Sequence, residues 1–203
     1  MFIVVEGIEG SGKSTLAAGL ADRLRGAGRD VLVAREPGGT EAGDAIRRIL
    51  LQPGRDLVPA TEAFLVNASR AQLVEEVIRP ALSAGRIVIC DRYVDSTLAY
   101  QGYGRGIPLE ILSGLCTLAT GGLTADLTIL LDLSLEVSRE RLQSRGEARD
   151  RMESADAAFH ERVRAGFLEL AANRPSVYLL DAAVGAQRLL DRAWALLTTA
   201  GAR

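Results

Sequence analysis

A glycine-rich loop near the amino end constrains the fold more than any other feature of the sequence. Residues 7–14 read Gly-Ile-Glu-Gly-Ser-Gly-Lys-Ser, which fits the phosphate-binding pattern G-x-x-x-x-G-K-S/T. An apolar run at residues 2–5 predicts a buried strand before the loop, and leucines spaced four apart within residues 14–24 predict a helix after it. Because this strand–loop–helix order is the context that the motif requires, we interpret the stretch as a phosphate-binding loop and not as an ordinary turn.

Each part of this loop has an expected role toward a nucleoside triphosphate. The glycines allow backbone N–H groups to turn toward phosphate oxygens, and the start of the helix adds partial positive charge. Lys13 is expected to reach the β- and γ-phosphates, and the Ser14 hydroxyl is expected to bind Mg²⁺. The residues expected to bind ATP here are Gly7, Ile8, Glu9, Gly10, Ser11, Gly12, Lys13, Ser14 and Thr15.

Lys13 is the only lysine in the chain, and arginine supplies the other 23 of its 24 basic side chains (24 − 1). The wide planar fork of arginine cannot replace a compact ammonium group in a tight anion site. The same count disfavours two other classes of nucleotide-binding protein. A guanine-reading Asn-Lys-x-Asp motif needs a second lysine, and a protein kinase carries its essential lysine on a later strand.

The composition indicates a single globular domain over residues 1–203, with 48% hydrophobic and 25% charged residues. A net charge of −2 and the lack of a basic stripe argue against nucleic acid or an anionic membrane as a partner. The sequence contains no signal-peptide pattern and no apolar stretch of about 20 residues, so a cytoplasmic location is expected. Cys90 and Cys116 form no C-x-x-C pair and are expected to be core thiols.

Strands and helices are predicted to alternate along the rest of the chain. Further strands are predicted at residues 30–34, 87–90, 126–132 and 177–181, and further helices at residues 41–51, 59–83, 109–119, 135–142, 155–172 and 187–198. Pro80 is expected to kink or divide the long helix, whose apolar side is expected to include Phe64. The alternation predicts the α/β class, a three-layer P-loop fold whose five-stranded parallel sheet is covered by helices on both faces.

The sequence Asp91-Arg92-Tyr93 directly follows four apolar residues, as in a Walker-B strand. Because the carboxyl ends of parallel strands meet at one edge, Asp91 is expected near the Mg²⁺ of the nucleotide and Arg92 near a phosphate. Residues 35–39 follow another predicted strand and are expected at the same edge. The polar, aromatic and glycine-rich residues 95–106 are expected to form a loop that contacts a base, although a plain surface loop is the alternative.

Glu9 indicates that a second substrate binds beside the loop, because a carboxylate is not expected to face phosphate oxygens. A carboxylate that faces the hydroxyl of an acceptor favours a kinase over a simple ATPase. The variable positions of the loop lack an arginine, so the arginine that stabilises the transferring phosphoryl group must come from elsewhere.

Five arginines between residues 139 and 151 surround Gly146, and we interpret them as an arginine-rich lid at about residues 143–153. A solvated, salt-bridged helix face is the alternative. His160, the only histidine, is expected to have a structural role.

Five separated motifs resemble those of bacterial thymidylate kinases and cover nearly the whole chain. They lie at residues 6–15, 35–39, 68–70, 91–93 and 96–102, in the order that the family shows. The resemblance implies the reaction ATP + dTMP → ADP + dTDP, with Mg²⁺, in a homodimer.

The resemblance further implies the roles of individual residues. Those expected to bind dTMP are Glu9, Glu36, Pro37, Gly38, Arg70, Arg92, Ser96, Thr97, Tyr100 and Gln101. Glu9 is implied to hold the 3′-hydroxyl and Arg92 the acceptor phosphate. Arg70 and Gln101 are implied to read the thymine edge, while Tyr100 crowds the ribose 2′ position. The expected catalytic residues are Lys13, Arg92, Arg145, Asp91 and Glu9; Ser14 and Asp91 are the expected metal ligands, and Arg149 and Arg151 assist on the ATP side.

One position departs from the family pattern. A phenylalanine that stacks on the base usually lies four residues before the base-reading arginine, where this chain has Val66. Phe64 lies more than half a helical turn away from that position, so it is not expected to enter the same pocket. Two alternative functions stay open at this point: a kinase for another nucleotide or deoxynucleoside, and a P-loop protein that binds ATP only to change partners.

Overall fold

The computed structural model describes residues 1–146, 148, 150–172 and 174–199. Within these residues the chain forms a five-stranded sheet in the order β2-β3-β1-β4-β5, and every neighbouring pair is parallel. The strands are β1 (Phe2–Gly7), β2 (Val31–Arg35), β3 (Ile87–Asp91), β4 (Leu127–Asp132) and β5 (Val177–Asp181). The predicted fold class is therefore confirmed.

Helices connect the strands, as parallel pairing requires. They are α1 (Lys13–Gly26), α2 (Glu41–Leu51), α3 (Pro59–Leu73), α4 (Arg79–Ser83), α5 (Val94–Thr97), α6 (Leu109–Thr120), α7 (Leu135–Ser144), α8 (Ala157–Ala172) and α9 (Ala186–Thr199). Two π-helical segments, Val74–Ile78 and Leu98–Gly104, continue α3 and α5. In the part of the chain that the structure describes, no helix is both long and apolar enough to cross a membrane.

Two apolar clusters cover the two faces of the sheet. In β1, Ile3 and Val5 belong to one cluster, and Phe2 and Val4 belong to the other. Strands that are buried on both faces read as continuous apolar runs, which is why residues 2–5 show no alternation. Both cysteines are buried free thiols, as the sequence analysis predicted.

The long helix predicted at residues 59–83 forms, but its hydrogen-bonding pattern changes before Pro80. The π-helical segment Val74–Ile78 separates α3 from α4, and Pro80 lies in the first turn of α4. Proline has no N–H to donate and its ring crowds the preceding turn, and a wider turn accommodates both effects.

Two details of the sequence analysis are wrong. Phe64 is 64% exposed and does not join the core, because the inward face of α3 is polar and includes Glu62, Asn67 and Arg70. Most of residues 95–106 are helical and not a loop, since α5 and the following π-helical segment run without a break from Val94 to Gly104.

Candidate active site

A cavity of about 440 Å³ lies at the carboxyl ends of β1, β2 and β3. Glu9, Glu36 and Arg92 line it, and each follows one of these strands within two residues. This is the edge at which parallel α/β sheets bind ligands. The loop of residues 7–12 forms one end of the cavity, and α3 with the segment after α5 forms the other. The two groups of residues predicted from separate motifs therefore meet in one site.

The phosphate-binding loop depends on backbone conformations that favour glycine. Gly7, Gly10 and Gly12 have φ angles of 140°, 70° and 92°. A Cβ atom on Gly7 would come within 2.5 Å of the Leu131 carbonyl oxygen, so a larger residue would displace the loop from β4. Of the predicted ATP-binding residues of the loop and the start of α1, Ile8 and Ser11 are buried behind the cavity surface. Those that line the cavity are Glu9, Gly10, Gly12, Lys13, Ser14 and Thr15.

Lys13 points back into the loop, where its Nζ donates to the Ile8 carbonyl oxygen at 2.8 Å. Burial, followed by repulsion from Arg92, lowers the pKa of Lys13 to about 8. The ammonium group is thus held among backbone groups at the cavity end where phosphates are expected.

Helix α7 supports the loop from behind. Ser138 Oγ donates to the Glu9 carbonyl oxygen at 2.8 Å, and Arg141 Nη1 donates to the Gly10 carbonyl oxygen at 3.2 Å. Arg141 also donates to the Ala182 carbonyl oxygen at 2.8 Å, which connects the loop to the end of β5. The interpretation of Arg141 as part of a lid is wrong, because it is fixed on α7 beneath the loop.

Ser14 and Asp91 meet at the mouth of the loop, with Ser14 Oγ 2.5 Å from Asp91 Oδ2. Mg²⁺ prefers hard oxygen ligands, and it usually takes one or two from the protein and the rest from phosphates and water. Among the described residues there is no cluster of three or more potential metal-binding side chains. The Ser14–Asp91 pair therefore fits a magnesium ion that arrives with a nucleotide, and does not form a cage of its own.

Arg92 and Glu9 form the centre of the site. Arg92 Nη2 donates to Glu9 Oε1 at 3.0 Å, and Tyr100 Oη donates to the same oxygen at 2.6 Å. Arg92 Nη1 also donates to the Gly7 carbonyl oxygen and to Ser96 Oγ, at 3.0 and 3.1 Å. Burial alone would raise the pKa of Glu9, but Arg92 and Lys13 outweigh it and lower that pKa below its usual value. Glu9 is therefore an anion beside a cation, on the phosphate loop itself.

His160 comes closer to this centre than the sequence analysis indicated. Its Nδ1 lies 3.9 Å from Glu9 Oε2, on α8. Periodicity placed His160 on a helix, but it gave no sign that this helix packs against the segment after α5.

The sequence analysis assigned no role to Glu6, which lies beneath Arg92. Glu6 Oε1 accepts hydrogen bonds from the backbone N–H groups of Tyr93 and Ser96 at 2.8 and 3.2 Å, and Oε2 accepts one from Ser96 Oγ at 2.6 Å. Burial, followed by repulsion from Asp95, raises the pKa of Glu6 to about 7. A single acidic residue inside an apolar strand was the available signal, because charged residues are rarely buried without partners.

Arg70 lies at the far end of the cavity and is 0% exposed. Its Nε donates to Glu36 Oε2 at 2.8 Å, its Nη1 to Thr97 Oγ1 at 2.9 Å, and its Nη2 to the Tyr93 carbonyl oxygen at 2.7 Å. The structure thus brings together three of the predicted dTMP-binding residues, Glu36, Arg70 and Thr97, in one buried network.

Other predicted dTMP-binding residues differ in how they meet the cavity. Gly38 lies outside its lining, with its N–H bonded to Ser69 Oγ at 3.0 Å, whereas Pro37 lines the wall. Val66, the position that departs from the family pattern, lines the wall as well. Phe64 points away from the cavity, as the spacing predicted. Arg35, which the sequence analysis placed at this edge without a binding role, and Arg47, which it did not select, add two more cations to the lining.

The segment after α7 also lines the cavity. Arg145 Nη2 donates to Glu153 Oε1 at 2.9 Å, and Arg151 Nη1 donates to Glu62 Oε1 at 2.6 Å. Both arginines line the cavity, while the predicted Arg149 lies outside the described residues. Glu62 is another residue that the sequence analysis did not select, because its burial depends on how α3 packs, which periodicity does not specify.

The fold and the site together define a P-loop phosphotransferase that has an acceptor pocket next to its phosphate-binding loop. The phosphate loop, the Ser14–Asp91 pair and the Arg92–Glu9 pair share one cavity, so donor and acceptor phosphates would lie side by side.

Comparison with known proteins narrows this class. The family model of thymidylate kinases matches residues 5–191. The thymidylate kinase of Deinococcus radiodurans is 50% identical over 202 residues, which cover 99% of this chain and 98% of that protein. The thymidylate kinase of Pseudomonas fluorescens is 49% identical over 201 residues, covering 98% and 95% of the two chains. The chain belongs to the thymidylate kinase family, as its motifs indicated.

Replacement of Glu6 by glutamine tests the buried carboxylate beneath Arg92. The pKa of Glu6 rises from 4.5 in an unfolded chain to about 7 in the folded one. Its protonated form therefore stabilises the fold below pH 4.5, and this contribution is lost as the pH rises through 7. Relative to Glu6→Gln, the wild-type free energy of unfolding should fall by about 3 kcal/mol across this window. Urea unfolding at several pH values measures this difference, and parallel pH profiles of the two proteins would contradict the assignment.

Proposed function

We propose that the chain transfers the γ-phosphoryl group of ATP to dTMP and releases dTDP and ADP. Membership of the thymidylate kinase family makes it a nucleoside monophosphate kinase, and the thymidylate kinases it matches act on dTMP. The observation that carries the proposal is the Arg92–Glu9 pair, a cation and an anion 3.0 Å apart beside the phosphate loop. A deoxynucleoside monophosphate offers both complements, a phosphate for Arg92 and a 3′-hydroxyl donor for Glu9.

Tyr100 supports this arrangement in two ways. Its hydroxyl donates to Glu9 at 2.6 Å, and its ring lies 5.0 Å below the Arg92 guanidinium. Burial raises the pKa of Tyr100 well above its usual value, so the phenol stays neutral and remains a donor. In the proposal, Tyr100 fixes the direction of the Glu9 carboxylate and leaves no room for a ribose 2′-hydroxyl.

The chemical step needs positioning and charge neutralisation more than proton transfer. The acceptor is already a phosphate, so the reaction is a direct in-line transfer without a covalent enzyme intermediate. Arg92 holds the attacking phosphate, and Lys13 holds the donor phosphates at the start of α1. Arg145 supplies positive charge to the transferring group, because the loop itself contains no arginine.

Magnesium belongs to the donor side of the proposed site. Ser14 and Asp91 would hold it, and when bound it would neutralise charge on the phosphates of ATP. Arg151 and Arg149 are proposed to close over the same nucleotide and exclude water.

At the other end of the cavity, Arg70 and Gln101 are proposed to read the thymine edge. Arg70 presents donors only, which suits a carbonyl oxygen on the base. Ser96 and Thr97 bind the guanidinium groups of Arg92 and Arg70, respectively, and so hold both arginines toward the acceptor. Glu36, Pro37 and Gly38 form the turn that borders this end.

A coupled ADP-release assay with ATP and Mg²⁺ tests the proposed reaction. ADP formation should depend on dTMP and should exceed that with dUMP, dCMP, AMP or thymidine. If the enzyme prefers another acceptor, that acceptor takes the place of dTMP in the proposed reaction. If ATP binds but no acceptor is phosphorylated, the result favours a protein that uses ATP to change partners.

Replacement of Arg145 by alanine should lower kcat on the order of 10³-fold, because the transferring phosphoryl group would lose its arginine. The matched control is Arg139→Ala, which removes an exposed arginine of α7 from the same cluster and should leave kcat near the wild-type value. Steady-state kinetics with saturating ATP and dTMP measures both variants. An Arg145→Ala enzyme with the full rate would remove Arg145 from the mechanism.

We also propose that the chain forms a homodimer through α3 and α6, which pack side by side. Phe64 on α3 and Ile111 and Leu118 on α6 are 64%, 63% and 80% exposed. Large apolar side chains that collect on one surface are typical of protein interfaces. This role accounts for the exposure of Phe64 on a helix whose inward face is occupied by polar residues.

The oligomeric state of two variants tests this surface. Leu118→Lys places a charge in the proposed interface and should convert a dimer into a monomer in light scattering after gel filtration. Leu179→Lys, at a 53% exposed leucine of β5, serves as the control and should stay dimeric. A monomeric wild-type protein, or a dimeric Leu118→Lys variant, would contradict the proposed interface.

A further inference from the structure

Glu62 occupies a position that the proposed reaction leaves unexplained. This carboxylate is 0% exposed, lies on the first turns of α3 and lines the end of the cavity where a base is expected. Arg105 Nη2 and Arg151 Nη1 lie 3.0 and 2.6 Å from its Oε1 atom. Its Oε2 atom accepts hydrogen bonds from Gln101 Nε2 at 3.2 Å and from Arg105 Nε at 3.3 Å. A carboxylate buried at this depth is usually paired, and here two of its three partners line the cavity themselves.

The contact with Glu62 determines which way the Gln101 amide faces. A side-chain amide has a donor end and an acceptor end, and the two ends can exchange by a half rotation. An ionised carboxylate can only accept hydrogen bonds. The amide nitrogen of Gln101 must therefore face Glu62, and the amide oxygen must face another direction. Because Gln101 is 3% exposed and lines the cavity, few other orientations are open to it.

We infer that Glu62 is a positioning residue that sets the base specificity of the acceptor pocket, by fixing Gln101 so that it offers its carbonyl oxygen to the base. The inference rests on the proposed function, since it takes from that proposal that Gln101 meets the base edge. It names a class of substrate: pyrimidines that carry an N–H donor at ring position 3 and a carbonyl at position 4.

The orientation of the Gln101 amide determines which pyrimidine bases the pocket accepts. Thymine and uracil have an N3–H donor, which pairs with a glutamine oxygen. Cytosine has a lone pair at N3 and an amino group at position 4. At Gln101, the lone pair of cytosine N3 would face the glutamine oxygen, so two acceptors would meet. At Arg70, the cytosine amino group would face the guanidinium, so two donors would meet. A site built in this way rejects the wrong base because buried polar groups are left without partners.

Replacement of Glu62 by glutamine should reverse the orientation. The two arginines donate only, and their shortest contacts, at 3.0 and 2.6 Å, are to Oε1. They would therefore hold the new amide by its oxygen at that position, and only the longer Arg105 Nε contact to Oε2, at 3.3 Å, would be lost. The new amide nitrogen would then occupy the position of Oε2 and face Gln101. Gln101 would turn its oxygen toward that nitrogen and offer its own NH₂ group to the base. The change is nearly isosteric, and it removes a charge without removing volume.

The experiment measures kcat/KM for dTMP, dUMP and dCMP on the same preparation of each enzyme, so that the active fraction cancels in each ratio. The wild-type ratio of dTMP to dCMP should be on the order of 10³ or more, and Glu62→Gln should reduce it at least about tenfold. The ratio of dTMP to dUMP should stay within about twofold, because these bases share the N3–H group. Arg105→Met is the matched control: it removes an ion pair to Glu62 but keeps the carboxylate, and should retain the dTMP to dCMP ratio.

The outcomes separate this inference from the proposed function. A wild-type enzyme that does not phosphorylate dTMP would remove the proposed function. An active wild-type enzyme whose Glu62→Gln variant keeps the dTMP to dCMP ratio would overturn the role of Glu62 alone. An equal loss on all three acceptors would also overturn it, since that result indicates a general structural role.

If Glu62→Gln does not fold, the wild-type protein itself supplies the test. In protein with labelled glutamine, NMR should show nuclear Overhauser contacts between the Gln101 Nε2 protons and the Glu62 Hγ protons in the complex with dTMP. Contacts between those amide protons and the bound thymine N3–H proton, without contacts to Glu62, would overturn the inference.

Discussion

The hydrogen bonds of one guanidinium group hold the active-site edge of the sheet together. Arg92 donates to the carbonyl oxygen that ends β1, to the carboxylate of Glu9, and to Ser96 and Tyr100 on the helical segment that follows β3. Its φ angle of 73° is unfavourable for a residue with a side chain, and such a conformation persists only where the surroundings determine it. Glu6 helps to hold the Arg92 backbone in this conformation, because its carboxylate accepts hydrogen bonds from the backbone N–H groups of Tyr93 and Ser96. The loop that holds the donor and the group that holds the acceptor are thus parts of one network.

A site made of buried charges needs each charge to have a partner. Glu36 with Arg70, and Glu62 with Arg105 and Arg151, provide such pairs at the far end of the cavity. Burial raises the pKa of Glu36, although Arg70 opposes that rise. Buried pairs of this kind add little net stability compared with well-packed apolar side chains, but the loss of one partner is costly. These pairs instead fix the orientation of the side chains. Each guanidinium has few orientations in which all its donors are satisfied, and in these orientations the side chains face the cavity.

The sequence alone was sufficient for the fold and for the residues that come directly after strands. The phosphate loop, Asp91 and Arg92 could be predicted because local patterns define both the strand and its end, and the parallel sheet then brings the ends together. Glu62 and the position of His160 could not be predicted, since both depend on how helices pack, and periodicity does not specify a helix's neighbours. Phe64 was misplaced for a related reason. Apolar spacing identifies the core only when the core side is apolar, and α3 turns Arg70 and Glu62 inward instead. The roles assigned to individual binding residues remain predictions.

The solitary lysine has a consequence for the chemistry of the protein surface. Amine-directed reagents such as acylating or arylating compounds react with the unprotonated form of an amine, and 203 residues offer them a single lysine side chain. That amine lies in the phosphate loop, is 7% exposed, and has its pKa lowered to about 8. Apart from the single histidine, every other basic side chain is an arginine, which such reagents leave intact. Covalent labelling of lysine would therefore report nucleotide occupancy at a single position, with no signal from any other lysine.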